Sequence, residues 1–121
     1  MFYPITTKLA GVTFGDAQEN IKKFGRPEIG SYALVREPEN PEDPNAVRVM
    51  LAGVYHMGYL PRLVAAHIAV LMDLGFRFIA LYVKCNRAEG EETVGLTVKI
   101  VESPYVEDEG EGIGIDNGNG G

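Results

Sequence analysis

Two adjacent carboxylates, Glu42 and Asp43, sit near the middle of the segment VREPENPEDPNAV, which runs from Val35 to Val47 of this 121-residue chain. Pro38, Pro41 and Pro44 stand within seven positions of that segment. Each lacks an N–H donor and restricts the residue before it, so the run is a rigid loop rather than regular structure. Asn40, Asp43 and Asn45 are turn formers whose short side chains bond nearby backbone. A stiff connection between two strands is enough to explain Asn40, Pro41, Pro44 and Asn45. The carboxylates at the apex go further, because a rigid backbone holds an acceptor in place with little entropy lost on binding.

Other chemistries lack the spacing they need. His56, His67 and Cys85 are the borderline or soft metal ligands, and no CxxC, HxxxH or HExxH pattern joins them, so no metal or other cofactor is expected. There is no GxxxxGK[ST] loop. The glycines of GEGIGIDNG (Gly110 to Gly118) follow no strand and open no helix, and a single GIGIDNG cannot stack as a calcium-binding repeat. Cys85 lies at a predicted strand end beside Lys84 and Arg87 and reads as a structural thiol. His67 falls on the apolar side of a predicted helix and reads as a packed, hydrogen-bonded residue, while His56 lies in a strand beside Tyr55. No base–nucleophile pair is spaced for catalysis, so the chain reads as a binding module and not an enzyme.

The charge balance narrows what such a module binds. Eleven Lys and Arg face 17 Asp and Glu, a net charge of −6, which excludes a uniformly basic nucleic-acid surface. The excess is local: Met1 to Glu102 is nearly neutral, and the five acids from Glu107 to Asp116 have no base among them. Residues 103–121 are therefore expected to be an acidic, glycine-rich disordered tail, with 1–102 as one folded domain. One cysteine cannot form an internal disulfide, and no secretory pattern opens the chain, so a reducing, cytoplasmic setting is expected. The longest apolar stretch, Leu63 to Met72, is broken by His67 and is too short for a membrane span.

The elements that position the loop follow from periodicity. Ile5 to Phe14 reads as a first strand with a bend or bulge at Gly11, followed by the polar segment Gly15 to Gly25, which has room for a short helix or turn. Tyr32 to Arg36 is a second strand. Ala46 to Leu51 and Val54 to Leu60 form a hairpin across Ala52-Gly53. Pro61 suits the first position of a helix in which Leu63, Val64, His67, Ile68, Leu71 and Met72 recur at helical spacing, with Gly75 as its terminator. Phe76 to Lys84 and Thr93 to Val101 alternate as two last strands, joined by the loop Cys85 to Glu92. The fold class is mainly β, a small α+β barrel: an OB-like bent sheet of five to six strands with one main helix.

The segments LAGVTF (Leu9 to Phe14), ALVREPENPEDPNAVRV (Ala33 to Val49) and MGYLPRLVA (Met57 to Ala65), with the helix ending at Gly75, together resemble the HIRAN domain family. That family is found at the N-terminus of fork-remodelling helicases and as small stand-alone proteins. The resemblance covers about Lys8 to Val101. It implies an OB-like barrel that binds single-stranded DNA and, in the remodelling enzymes, recognises a free 3′-hydroxyl end. Phe14 matches an aromatic position that packs on the terminal nucleotide, Asp43 the acid that bonds its hydroxyl, and Tyr59 a position that is histidine in those enzymes. Thr13 stands where they have a base contacting phosphate, and Glu42 where they have a tyrosine. Arg36 and Arg62 are expected to help hold the strand.

An ionised carboxylate accepts from a 3′-hydroxyl and repels a 3′-phosphate, so Asp43 suffices to tell the two ends apart. Phe14 is equally consistent with core packing and Tyr59 with a structural anchor. Lys8, Lys22, Lys23, Arg26, Arg36, Arg48 and Arg62 make a DNA face if they converge and a scattered surface if they do not. The rival to a DNA-binding module in repair or replication is a protein–protein adaptor. There the barrel docks a DNA-processing enzyme and the acidic tail acts as an interaction or polyanion-mimic segment.

Overall fold

A computed structural model describes residues 1–103 of the chain. The expected acidic tail lies outside the described residues apart from Ser103, whose N–H donates to the Arg77 carbonyl at 2.8 Å. Six strands and two helices follow one another as β1 (Ile5–Lys8), α1 (Ala17–Phe24), β2 (Ser31–Arg36), β3 (Val47–Leu51), β4 (Tyr55–Tyr59), α2 (Arg62–Asp73), β5 (Phe78–Arg87) and β6 (Val94–Glu102). The strands form one antiparallel sheet in the order β1-β6-β5-β2-β3-β4. Register shifts at Val49/Met50 and Tyr82/Lys84 bend and twist it. The sheet curls into a half-barrel, the mainly β, OB-like class expected from the sequence.

Alternation places Val47, Val49, Leu96, Val98 and Ile100 on the inner face, all fully buried. Each such side chain contributes roughly 1.5–3 kcal/mol relative to an exposed one. The hairpin from β3 to β4 turns at Ala52 and Gly53, both with positive φ. Val49 pairs with Gly58 and Met50 with His56, so Met57 is the extra residue and is driven into the core.

The start of the chain departs from expectation. The first strand stops at Lys8, because the backbone leaves β6 there and crosses to the opposite edge of the sheet. Leu9 N–H still reaches Leu96 O at 2.9 Å, but Ala10 exchanges both backbone hydrogen bonds with Tyr59 of β4, at 2.7 and 2.8 Å. Strands β1 and β4 are the two edges, so this pair pins the curl shut at one corner. Gly11 then turns at φ +61° and Phe14 falls in a turn outside any strand.

Two helices are present where one main helix is expected. The polar segment after Gly15 makes α1, which buries Ala17, Asn20 and Ile21 at helical spacing. Gln18 ties it to β6, donating to Val94 O at 2.8 Å and accepting from Val94 N–H at 2.9 Å. Tyr32 O–H donates to Phe24 O at 2.6 Å, and burial, helped by nearby Tyr82, pushes this phenol up to about 12.

In α2 the inward stripe is Ala65, Ile68 and Ala69, while Leu63 is 86% exposed. His67 is exposed and stacks on Phe2 with ring centroids 6.2 Å apart, so it is packed as read, but on the outside of the helix and without the expected hydrogen bond. Pro61 caps the helix rather than beginning it: its ψ of 151° is extended, and its carbonyl accepts from Ala65 N–H. At the other end Phe76 N–H bonds Leu71 O and Gly75 N–H bonds Met72 O, with Gly75 at φ +104°, a Schellman termination. The expected loop from Cys85 is shorter than read, since β5 stays paired with β6 as far as Arg87 opposite Val94.

Gly58 permits the corner to close. Its φ is +145°, and a Cβ there would lie 3.0 Å from Ala10 O and 3.3 Å from Leu9. Gly58→Ala is therefore expected to destabilise the domain by about 2–3 kcal/mol through backbone strain and loss of the pair. A thermal melt should show a fall of roughly 10 °C; a melt within a degree or two of wild type refutes the closure role.

Candidate nucleic-acid interface

The pinned corner brings three distant segments around a pocket of about 490 Å³. Gly11 and Phe14 form one side, the loop Asn40 to Ala46 another, and Tyr59, Leu60 and Arg62 the base and rim. Gly11 is needed here for close approach, since a Cβ would meet the Tyr59 ring at 3.2 Å. Phe14 is 61% exposed and so is not a core residue. Its ring faces His56 edge-on at 5.9 Å and Tyr59 at 6.4 Å, and His56 meets Tyr59 at 5.3 Å. Aromatic faces thus bound one side of the pocket and carboxylates the other.

The acidic side is shaped by two successive Asx turns. Asn40 Oδ1 accepts from the N–H groups of Glu42 (2.8 Å) and Asp43 (3.2 Å), and Asp43 Oδ1 accepts from Asn45 N–H (2.9 Å). That leaves Asp43 Oδ2 to accept from elsewhere. Arg62 donates to Glu42 O at 3.2 Å across the mouth. Behind the wall, Tyr59 O–H donates to Glu37 Oε1 at 3.0 Å and accepts from Arg48 Nη2 at 3.2 Å. Arg48 Nε lies 2.7 Å from Glu37 Oε2, and its guanidinium sits 5.6 Å from the Tyr59 ring centre. Tyr59 is both anchor and pocket wall.

Five of the seven sequence-derived residues line this pocket: Phe14, Glu42, Asp43, Tyr59 and Arg62. Thr13 is exposed beside Phe14 and outside the lining. Arg36 stands behind the loop. It donates to the carbonyls of Pro44 and Ala46 at 3.0 and 3.1 Å and forms a two-pronged pair with Asp73 at 3.0 and 3.1 Å. Its geometry is that of a brace holding the loop against the end of α2. Among the candidate bases Arg62 alone lines the pocket, while Arg36 and Arg48 are engaged by the loop behind it. Glu37, Asn40, Arg48 and His56 were not singled out as site residues in the sequence. Of these, the REPEN run contains Glu37 and Asn40, Arg48 entered only as one base of a possible DNA face, and their grouping with His56 depends on a β3–β4 register that no local pattern reveals.

A second cavity, of about 570 Å³, is lined largely by the N-terminal residues with His67, Leu71, Phe76, Phe78 and Glu102, and holds none of the seven sequence-derived site residues. Among the described residues no group of three His, Cys, Asp or Glu is clustered to hold a metal, and no helix is long and apolar enough to cross a membrane.

The described residues thus form a small curled β-sheet with a pocket bounded by aromatic rings and carboxylates. The chain belongs to the HIRAN domain family, which it matches over residues 5–103, and HIRAN domains are known as DNA-binding modules. A stretch of 49 residues is 43% identical to a Fanconi-associated nuclease 1 homolog from Oryza sativa subsp. japonica, covering 38% of this chain and 5% of that much longer protein. The fold resembles a protein from Lactobacillus plantarum, with TM-score 0.62 and 22% identity over 84% of this chain and 98% of the other. It also resembles the HIRAN domain of human HLTF, with TM-score 0.56 and 18% identity over 79% and 74% of the two chains.

Both His56 ring nitrogens are shut from solvent without a hydrogen-bond partner. Burial lowers the His56 pKa below its ordinary 6.5, and nearby Arg48 lowers it further, against opposing pulls from Glu37 and Asp16. The unfolded chain thus takes up this proton at higher pH than the folded one. The stability His56 contributes is complete above about pH 6.5 and is lost as pH falls below it, until the folded protein protonates too. Thermal melts between pH 7.5 and 5 should show this loss in wild type and a shallower slope in His56→Gln; identical slopes contradict it. Asp73, whose pKa is lowered by its bond to Arg36, titrates below its ordinary 3.8 and does not interfere.

Proposed function

We propose that this domain holds single-stranded DNA at a free 3′-hydroxyl end, without catalysis of its own. The observation that carries the reading is the convergence of Phe14, Asp43 and Tyr59 on one pocket. Its volume lies within the range of about 300–1,000 Å³ usual for small-ligand sites. The exposed Phe14 ring offers a stacking face, which suits any base and is worth roughly 1–3 kcal/mol. Asp43 is an acceptor aimed by two turns. It favours a terminal hydroxyl and repels a terminal phosphate. Arg62 at the rim is placed to meet the next phosphate. The proposed setting is DNA repair or replication in the cytoplasm, in keeping with the nuclease homolog that shares part of this sequence.

The near-neutral domain and the single lining base argue for a modest grip. Fluorescence anisotropy with end-labelled oligonucleotides should show 3′-hydroxyl strands bound about tenfold or more tightly than 3′-phosphate strands, the difference of one charge-assisted hydrogen bond. The salt slope should be small, about −0.7 per phosphate neutralised. Phe14→Ala should weaken binding by roughly 5- to 100-fold, and Asp43→Ala should erase the end preference. Equal affinity for the two ends, or no binding at low salt, sinks the reading. The single base among the lining residues favours a second one, the adaptor that docks a DNA-processing protein; it predicts no oligonucleotide binding and a pull-down dependent on residues 107–116.

A further inference from the structure

Glu37 stands behind the pocket rather than in it, yet its carboxylate touches both halves of the site. It follows the last residue of β2, and its N–H closes the base of the loop on Ala46 O at 3.0 Å. Oε1 accepts from Tyr59 O–H at 3.0 Å and from Asn40 Nδ2 at 2.9 Å, while Oε2 faces Arg48 Nε at 2.7 Å. The side chain is only 21% exposed, so these contacts are little diluted by water. We propose that Glu37 is a positioning residue that couples the aromatic wall to the Asp43 acceptor, so that stacking and recognition of the terminal hydroxyl act together. The proposal rests on the pocket being a 3′-end site.

The coupling runs through two short chains of hydrogen bonds. On one side, the Tyr59 proton is committed to Glu37 and its oxygen accepts from Arg48. Tyr59 therefore presents its ring, and not its hydroxyl, to a ligand. On the other side, Asn40 gives its amide N–H to Glu37, which turns its oxygen toward the N–H groups of Glu42 and Asp43. An anion at Glu37 thus orients the residue that aims Asp43. In Glu37→Gln the shape is kept, but the new amide NH₂ faces either the Arg48 guanidinium, a donor against a donor, or Tyr59 and Asn40, whose bonds it cannot accept.

The test measures affinities of the full chain for matched 3′-hydroxyl and 3′-phosphate oligonucleotides, with a thermal melt of each variant. Glu37→Gln is expected to weaken 3′-hydroxyl binding by about tenfold and bring the two ends within about twofold of each other. Tyr59→Phe, which removes the hydroxyl's bonds to Glu37 and Arg48 and leaves the Asn40 link intact, should lower both affinities by one common factor and keep their ratio. Asn40→Asp, which keeps the acceptor for the Glu42 and Asp43 N–H groups but gives Glu37 no N–H, should collapse the ratio. A change confined to stability would leave the ratio of the two ends untouched. Folded Glu37→Gln with the wild-type ratio overturns the coupling while leaving the pocket assignment standing, provided Asp43→Ala abolishes the preference. Wild-type protein with no end preference overturns both. If Glu37→Gln unfolds below the assay temperature, the other two variants decide, and wild-type values in both overturn the proposal.

Discussion

The structure hangs on one close backbone contact, the reciprocal hydrogen bonds between Ala10 and Tyr59. A six-stranded sheet of this length has two edges, and each edge exposes unpaired N–H and C=O groups. Twist and two bulges bring one corner of the two edges together, and the pair locks them there. The contact is unstrained because Gly58 has no side chain to crowd Ala10. Everything the pocket needs follows from it. The chain after β1 must cross to β4, so Gly11 lies against the Tyr59 ring and Phe14 hangs at the rim. Without the pair the aromatic side of the pocket would have no reason to face the acidic side.

The acidic side is organised by a different economy. Its loop has little apolar surface to bury, so its order comes from covalent stiffness and local hydrogen bonds. The prolines reduce the entropy to be lost, and Asn40, Asp43 and Asn45 take up backbone donors that would otherwise be open. Two arginines hold this loop from different sides. Arg36 fastens it to the end of α2 through Asp73, and Arg48 fastens its first residue, Glu37, to the barrel. Both are basic residues of a family of DNA-binding modules, yet both serve the architecture of the site. The carboxylates Glu42 and Asp43 are left facing the pocket with Arg62 as their nearest lining base.

This division changes what net charge means for the protein. A total of −6 describes the chain, but a nearly neutral body surrounds the pocket and the remaining acids fall outside the described residues. A surface of this kind does not draw in a polyanion over long range. What the pocket presents at short range is its shape, its ring faces and the Glu42 and Asp43 carboxylates. The described domain also corresponds to only a small share of the nuclease homolog it resembles.

Much of this was legible in the sequence, and the reason is that the legible parts are local. Alternation marked the strands, helical spacing and Gly75 marked α2, and proline chemistry marked the rigid loop, because each depends on residues within a few positions of one another. Phe14, Asp43 and Tyr59 were singled out through resemblance to a family pattern, and the fold brings them to one pocket with Arg62. What was not readable depended on register and closure. Ile5 to Phe14 has the composition of one long strand, but β1 ends at Lys8 because the backbone pairs with Tyr59, more than 45 residues away. The polar run after Gly15 became a helix because Ala17, Asn20 and Ile21 found a groove beside β4 and β6. Arg36 and Arg48 carry the same charge in adjacent, similar strands, and no local pattern tells a DNA contact from a brace. The amino-acid sequence by itself determined which elements form and which side chains carry chemistry; only the tertiary structure decided which of those side chains meet, because hydrogen-bond partners are chosen by distance in space and not along the chain.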